Sequence, residues 1–538
     1  MLRNPLYVYG PRSVEVPANI NFGDYVLNKM WPHRNKVAMI NGTTDERLTY
    51  SDIIQQSMNF AISLTRMGVR KGDTIALISE NRLEFWGAVV GVACAGAVLT
   101  TISTGYVKDE VIHVMNISKP KYVIASPAMY EIHAKTLKSI KFIKKTILFG
   151  ENRPKDCLLY NDMVLERNGL IKNVNYEDFL SVEVHGQSDT VLIMYSSGTT
   201  GLPKGVMSTH LNVITACSLP PSHDNSKITI TISPWYHVMG LVGGLAALVT
   251  GRTAVYLPKF NDDAFLKIIE KYQVAQMTVV PPVLVALCKN QSNYDLSSVT
   301  MIYSGAAPLH KDTIKDVHVK FPNLRAVFQG YGSTELTLAV ARFQYNDPNT
   351  HKTGSVGRVS PNSILKVVDI ETRKPLGPNQ RGEICAKGEL LMKGYVNQGR
   401  GEDFDEEGFY KTGDIGYYDE DRYFYVVDRL KELIKYKGYQ VPPAEIEAVL
   451  LQHEDIREAA VVGVEDRAAG EVPLAFVVPH AGRTLTEKAV KDFVAERLSN
   501  PKHLRGGVRF VNQIPKSAAG KLLRKELRKM LKAGKSKL

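Results

Sequence analysis

Residues Ala254–Lys289 read AVYLPKFNDDAFLKIIEKYQVAQMTVVPPVLVALCK. Four pieces follow one another: an apolar run at Ala254–Leu257, a helical period over Asp262–Tyr272, a second apolar run at Met277–Val280 and a helical piece at Leu284–Lys289. Asn261 or Asp262 can cap the first helix, because a short polar side chain there accepts from an orphan backbone N–H. The alternation extends outward, with Ile228–Ile232 and Gly240–Val249 before it and Thr300–Tyr303 and Lys311–Phe321 after it. Strands that alternate with helices predict an α/β fold, a parallel sheet with covering helices.

From Gly354 to Asp428 the pattern changes to short β-rich pieces punctuated by glycine, at Ile364–Ile370, Gly382–Lys387 and Tyr423–Val427, which predicts a small β subdomain. After Arg429 a shorter α+β region follows, with helices near Pro443–Leu451 and Thr486–Leu498 and strands around Ala459–Val464 and Leu474–Val478. The boundary falls near Leu430, giving domains over residues 1–430 and 431–538. A chain of 538 residues exceeds what one hydrophobic core serves, which agrees with two domains.

Composition excludes several classes. Hydrophobic residues at 44% with charged residues at 23% describe a globular chain, not a disordered one. Cys94, Cys157, Cys217, Cys288 and Cys385 are odd in number, with no CxxC pair and no histidine cluster at metal-ligand spacing, so reduced thiols are expected. The formal charge is +12, but between Lys521 and Leu538 there are eight bases against one acid, so more than half of the excess sits in a tail. No aromatic-interleaved basic stripe accompanies it, which argues against a nucleic-acid partner. The uncharged segment Phe85–Val107 is long enough to span a bilayer, yet its glycines and its run of Thr and Ser predict a buried helix followed by a strand, and no transmembrane segment. Met1–Pro17 lacks the apolar stretch of a secretory signal. Ser536-Lys537-Leu538 reads as a receptor-recognised peroxisomal address, so a peroxisomal location with the import receptor as partner is expected.

Tyr195–Gly205 reads YSSGTTGLPKG, directly after the apolar run Val191–Met194. Such a loop brings N–H groups, hydroxyls and one ammonium to a single anion, here a nucleotide phosphate. It is not a P-loop, because Lys204 is followed by Gly205 where that motif needs Ser or Thr. Taken alone, a flexible surface turn remains the alternative.

Two further clusters, Gln329–Glu335 (QGYGSTE) and Tyr410–Asp414 (YKTGD), complete a pattern in chain order. Together they resemble the signature of the adenylate-forming superfamily, which contains acyl-CoA synthetases, 4-coumarate–CoA ligases, peptide-synthetase adenylation domains and beetle luciferases. The resemblance continues through Asp428–Lys431 (DRLK), Ile434–Val441 (IKYKGYQV) and Pro515–Leu522 (PKSAAGKL) and covers nearly the whole chain. It implies a large N-terminal domain of parallel sheets with covering helices plus a small β subdomain, followed by a small α+β C-terminal domain that is mobile about Lys431.

The chemistry implied has two halves: a carboxylate attacks the α-phosphate of ATP, and a thiol, that of coenzyme A, then displaces AMP. Both partners in the first half are anions, so the site must neutralise charge. Mg²⁺ held by Glu335, the donors Ser196, Ser197, Gly198, Thr199, Thr200 and Lys204, and an adenylation lysine matching Lys521 are the implied means. Thr334 would contact the α-phosphate. Ala306 and Ala307, within Ser304–Pro308, would line the adenine pocket with Gln329, Gly330 and Tyr331. Asp414 would accept from the ribose hydroxyls and Arg429 would steady the same sugar. Lys435 and Gln440 match residues that approach the adenylate, and Lys437 and Gly438 match an edge that contacts CoA.

For the acid itself, His237 in Pro234–His237 matches an aromatic gate, with a core histidine as the alternative. Met239, Gly240, Gly243, Leu336, Leu338 and Ala339 are the implied pocket walls. All are apolar, which suits an aliphatic or aryl-aliphatic acid better than an amino acid. In detail the wording is close to beetle luciferases, but Ala216 stands where they place an arginine and Leu338 where they place a serine. A fatty or arylpropenoic acid–CoA ligase is therefore expected ahead of a luciferin monooxygenase.

Overall fold

In a parallel β/α repeat each strand is buried on both faces while its C-terminal end stays open, and that opening is where this chain builds its site. The structure, a computed structural model, describes all residues except 1–2, 13, 167–170, 198–202, 221–226, 306–308, 310, 345–346, 348–351, 438, 467–468, 499, 517–521 and 536–538. At 197, 311–312, 440 and 532–535 it describes the backbone alone.

The region 228–328 forms as read. The strands Thr229–Thr231, Ala254–Tyr256, Gln276–Val279, Met301–Ser304 and Ala326–Tyr331 run parallel, with Val37–Asn41 beside them. Short antiparallel pieces close each edge and give a nine-stranded sheet. The helix Asp262–Tyr272 has the expected bounds, because Asn261 accepts from Ala264 N–H at 2.8 Å and Gln273 ends it in the left-handed conformation. The next helix starts at Pro281, ahead of the expected Leu284, since proline in a first turn loses no hydrogen bond.

A second, eight-stranded sheet is parallel from Thr190–Ser197 to Cys157–Leu159. The uncharged segment becomes the helix Glu84–Cys94 and the strand Val98–Ile102, both buried. Among the described residues no helix is long and apolar enough to cross a membrane. The expectation of parallel pairing is corrected at one edge of this sheet. Pro203–Thr209 returns antiparallel to Thr190–Ser197 and pairs in turn with Gly394–Tyr395. Proline is tolerated there because it opens its strand.

The β subdomain is an antiparallel sheet in the order Tyr7–Tyr9, Ser363–Val368, Gly382–Gly388, Tyr410–Tyr418, Phe424–Arg429. Beyond it lies an α+β unit with its own core, in which Ile456–Asp466 and Gly470–Pro479 pair over their whole length. All five cysteines are free thiols.

His210 begins the helix His210–Ser218 and is 1% exposed; its Nδ1 accepts from Phe22 N–H at 2.9 Å, which requires a neutral ring. Burial pushes its pKa from 6.5 to about 4. Between those values the unfolded chain binds a proton that the folded chain refuses, so this group removes stability as pH falls through that window. The loss amounts to about 3 kcal/mol. In denaturant titrations at pH 7 and pH 4.5, His210→Gln is expected to shrink the difference between the two stabilities; an unchanged difference contradicts this assignment.

Candidate active site

The strand Thr229–Thr231 has Ala254–Tyr256 on one side and Gln276–Val279 on the other, so the chain leaves it to one side and then crosses back to the other. A crevice opens at the C-terminal end of such a strand. The segment Pro234–His237 lies there and is held from both sheets. Asn81 accepts from Trp235 N–H at 2.9 Å and donates to Ser233 O at 3.1 Å, and Thr101 donates to Tyr236 O at 2.9 Å. Trp235 fills the interlayer space with Trp86 and Tyr256, ring centroids 4.7 and 4.9 Å away. His237 then starts the helix Val238–Val249, and burial lowers its pKa, so the ring is neutral at pH 7.

Beside this crevice a carboxylate is fixed by two strands. Asp414 stands opposite Arg429 in the antiparallel pair and is 8% exposed. The Tyr331 hydroxyl donates to its Oδ2 at 2.8 Å, and Arg429 Nε lies 3.1 Å from Oδ1. Burial and the adjacent carboxylate raise the Tyr331 phenol well above its ordinary value, which keeps it a donor. An ionised carboxylate only accepts hydrogen bonds, which is what the vicinal hydroxyls of a ribose ask of a partner. Gln329, from the same strand as Tyr331, accepts from Leu309 N–H at 3.1 Å and fixes the adjoining wall.

A second carboxylate follows at once. Thr334–Leu336 is a single 3-10 turn, after which Thr337 and Leu338 take φ values of 44° and 109°, conformations that side chains rarely adopt. The turn closes tightly on Gly332, where a Cβ would lie 1.7 Å from Leu338 O, so only glycine fits. It aims Glu335 inward at 7% exposure. The Tyr395 hydroxyl donates to Glu335 Oε1 at 3.0 Å and lies 3.3 Å from the Tyr410 hydroxyl. Burial and Glu335 raise the Tyr395 phenol, so it too remains a donor.

Lys204 Nζ sits 4.5 Å from the Tyr395 ring centroid and 3.8 Å from Asp403. The lysine of the first motif and the glutamate of the second thus meet through one tyrosine. The assignment of Ser196, Ser197 and Lys204 to the loop is corrected: they lie in the paired strands at its base, Lys204 opposite Ser196 and Pro203 opposite Ser197. The register makes Thr190–Ser197 and Pro203–Thr209 an antiparallel pair.

Among the described residues, three buried hydroxyls, Ser196 Oγ, Ser304 Oγ and Ser333 Oγ, have no hydrogen-bond partner. Ser196 and Ser304 lie at the ends of the strands Thr190–Ser197 and Met301–Ser304, and Ser333 immediately precedes the turn that carries Glu335. Buried polar groups are almost always satisfied, so three orphans together call for a polar ligand. A nucleotide between Asp414 and Glu335 fits them. Glu335 also suits Mg²⁺, which is commonly held by one or two protein carboxylates together with substrate phosphates.

Other expected residues lie elsewhere. Lys435 and Lys437 belong to the hairpin formed by Ile434–Tyr436 and Tyr439–Val441, where Lys435 stands opposite Gln440 and is exposed. The backbone contacts of this hairpin run within the C-terminal unit, from Lys435 N–H to Glu471 and from Lys437 N–H to Ala469 O. Among the described residues, none of the hydrogen bonds of this hairpin reaches Glu335 or Asp414. Lys431 lies exposed in a 3-10 turn, Leu430–Glu432, between the two units. Gly198, Thr199, Thr200, Ala306, Ala307, Gly438 and Lys521 lie outside the described residues, as do the side chains of Ser197 and Gln440. Sequence reasoning missed Tyr395 as a member of the site. Its strand, Gly394–Tyr395, is two residues long and gives no periodic signal.

Residues 29–396 match the AMP-binding enzyme family, and residues 445–521 match the AMP-binding enzyme C-terminal domain. The chain is 41% identical over 515 residues to a luciferin 4-monooxygenase of Nipponoluciola cruciata, covering 93% of this chain and 92% of that one. It is 39% identical over 536 residues to 4-coumarate–CoA ligase 1 of Petroselinum crispum, covering 97% and 96%. Its fold superposes on ATP-bound MatB from Rhodopseudomonas palustris with a TM-score of 0.82 at 25% identity, over 95% of this chain and 99% of that one. With both family models matched along the chain, residues 29–396 and 445–521, the protein belongs to the AMP-binding enzyme family.

Proposed function

We propose that the protein is an ATP- and Mg²⁺-dependent acid–CoA ligase acting on medium- or long-chain fatty acids, with arylpropenoic acids next, in the peroxisome. The observation that carries the ligase reading is the pair of buried carboxylates, Asp414 suited to a ribose and Glu335 suited to a metal, with the hydroxyls of Ser196, Ser304 and Ser333 unpartnered among the described residues. In the first half, the acid's carboxylate oxygen bonds to the α-phosphorus of ATP and pyrophosphate leaves. In the second, the thiol of CoA, losing its proton, attacks the acyl carbonyl and AMP departs. Bound Mg²⁺ would supply charge neutralisation on the phosphates. This chain's own contribution is to hold the sugar at Asp414 and Arg429, to place hydroxyls at the phosphates, and to keep His237 neutral beside the acid.

The two halves need different groups in one place, so residues 431–538 turn about Lys431 between them, in keeping with its exposed position in a short turn. In this account Lys521 serves the first half, and Lys435, Lys437, Gly438 and Gln440 serve the second. Lys521→Ala is expected to slow adenylate formation by on the order of 10²-fold, the loss of one charge-stabilising donor. Conversion of supplied acyl-AMP to acyl-CoA is expected to survive. Rapid-quench assays of the separate halves check this, and equal loss in both overturns the role.

A fatty acid is favoured over a luciferin by Ala216, buried at 4%, and by Leu338, neither of which offers a polar contact to a heteroaromatic substrate. The identity to a luciferin 4-monooxygenase keeps the oxygenase as the second reading, and light from added luciferin and ATP would favour it. The peroxisomal location rests on Ser536-Lys537-Leu538. Deleting these three residues is expected to leave activity intact and the protein in the cytosol; continued import contradicts the location.

A further inference from the structure

The interlayer space behind His237 has a polar end that the apolar pocket walls do not foretell. Thr231, Thr278 and Tyr303 stand in register on three adjacent parallel strands and so share one face of the nine-stranded sheet. Their alternate neighbours Ile230, Met277 and Ile302 are at most 1% exposed in the core on the other face. The row itself lies in mid-sheet, yet all three residues are partly open. Space therefore exists on that face. Tyr256, in register with Thr231, belongs to the same core as Leu241, Leu245 and Leu248 of the helix Val238–Val249.

Met239, Gly243, Ala246 and Thr250 recur at helical spacing, and all four are partly open. A Cβ at Gly243 would meet nothing within 4 Å, so the stripe borders a void. Its Met239 end lies at the active site, with the sulfur 3.5 Å from where a Cβ on Gly305 would stand. Its other end is Thr250, whose Oγ1 accepts from Arg252 Nε at 3.1 Å. From Met239 to Thr250 the stripe measures about 16 Å at the helical rise.

Arg252 is 9% exposed. The groups that act on its charge are two neutral phenols, Tyr50 and Tyr303, and it lies within electrostatic reach of Arg342. Among the described residues no carboxylate pairs with it. Burial lowers the pKa of both guanidinium groups to about 10. A buried, unpaired cation is costly, and four of the five guanidinium N–H bonds of Arg252 remain after Thr250 takes one. A carboxylate accepting two of them would remove that cost.

We propose that Arg252 closes the far end of the acyl pocket and receives the second carboxylate of a medium-chain α,ω-dicarboxylic acid, whose first carboxylate is activated at the other end. This rests on the acid–CoA ligase reading and names its substrate class. The test compares dodecanedioic with dodecanoic acid in the purified full-length protein with ATP, Mg²⁺ and CoA, following acyl-AMP and acyl-CoA. The diacid is expected to have kcat/KM higher by on the order of 10-fold or more. Arg252→Met is expected to reverse that order, with the loss falling on KM for the diacid. Preference of the wild type for dodecanoic acid overturns the proposal, as does a diacid preference that survives Arg252→Met. Should the variant fail to fold, the wild-type ratio decides. If neither acid yields acyl-AMP or acyl-CoA, the ligase reading itself fails, and this inference fails with it.

Discussion

Glu335→Gln is expected to slow acyl-adenylate formation by on the order of 10³-fold, at the upper end of what removing one electrostatic contact costs. The substitution is nearly isosteric, and the contacts that hold the turn are spared. Met392 N–H donates to the Glu335 backbone carbonyl at 2.8 Å, and the Tyr395 hydroxyl can still donate to the amide oxygen. What disappears is the negative charge. The loss should therefore appear as a higher Mg²⁺ concentration for half-maximal rate, with an unchanged melting temperature. Pre-steady-state adenylate formation measured across a Mg²⁺ titration checks this; a normal Mg²⁺ dependence would remove the metal from Glu335.

The second large effect belongs to Asp414. Its carboxylate is held by Tyr331 from one strand and by Arg429 from the strand opposite, so its position is set before any nucleotide arrives. Asp414→Ala is expected to lower kcat/KM for ATP by about 10²- to 10³-fold. Hydrogen bonds to a charged group contribute about 1.5–3 kcal/mol each, and a ribose offers two. Truncation also leaves Arg429 without its partner in a half-buried site, which adds a stability loss of about 1–2 kcal/mol. Steady-state kinetics against ATP separate the two losses. A KM for ATP near the wild-type value would mean that the sugar binds elsewhere.

Much of this fold was legible in the sequence because its determinants are local. The helix Asp262–Tyr272 carries its cap at Asn261 and its stop at Gln273, so its ends follow from neighbouring residues. The strands beside it are apolar runs bounded by helices, and parallel pairing follows from that alternation. Of the motif residues, Gln329 and Tyr331 share the strand Ala326–Tyr331, Tyr331 reaches Asp414, and Glu335 follows in the next turn.

What was not legible depends on pairing between distant segments. The glycine-rich loop looked like a strand followed by a free turn, and only the register of Lys204 against Ser196 makes its flanks an antiparallel pair. Tyr395 reaches Glu335 from across sixty residues of chain through a strand too short to announce itself. The pocket floor is the clearest instance. Thr231, Thr278 and Tyr303 share a face only once three strands are aligned. Arg252 follows Thr250 and Gly251 in what reads locally as an ordinary turn, yet it is buried. Gly198, Thr199, Thr200 and Lys521 fall outside the described residues, so their roles rest on motif matching alone.

The most direct test of the central claim is mass spectrometry of the products formed by purified protein with ATP, Mg²⁺, CoA and a panel of fatty, dicarboxylic, cinnamic and luciferin-type acids. AMP and an acyl-CoA are expected to appear together, with acyl-AMP accumulating when CoA is withheld. Acyl-AMP that never becomes a thioester in the presence of CoA would contradict that claim and bring the oxygenase, or another adenylate-consuming reaction, to the front.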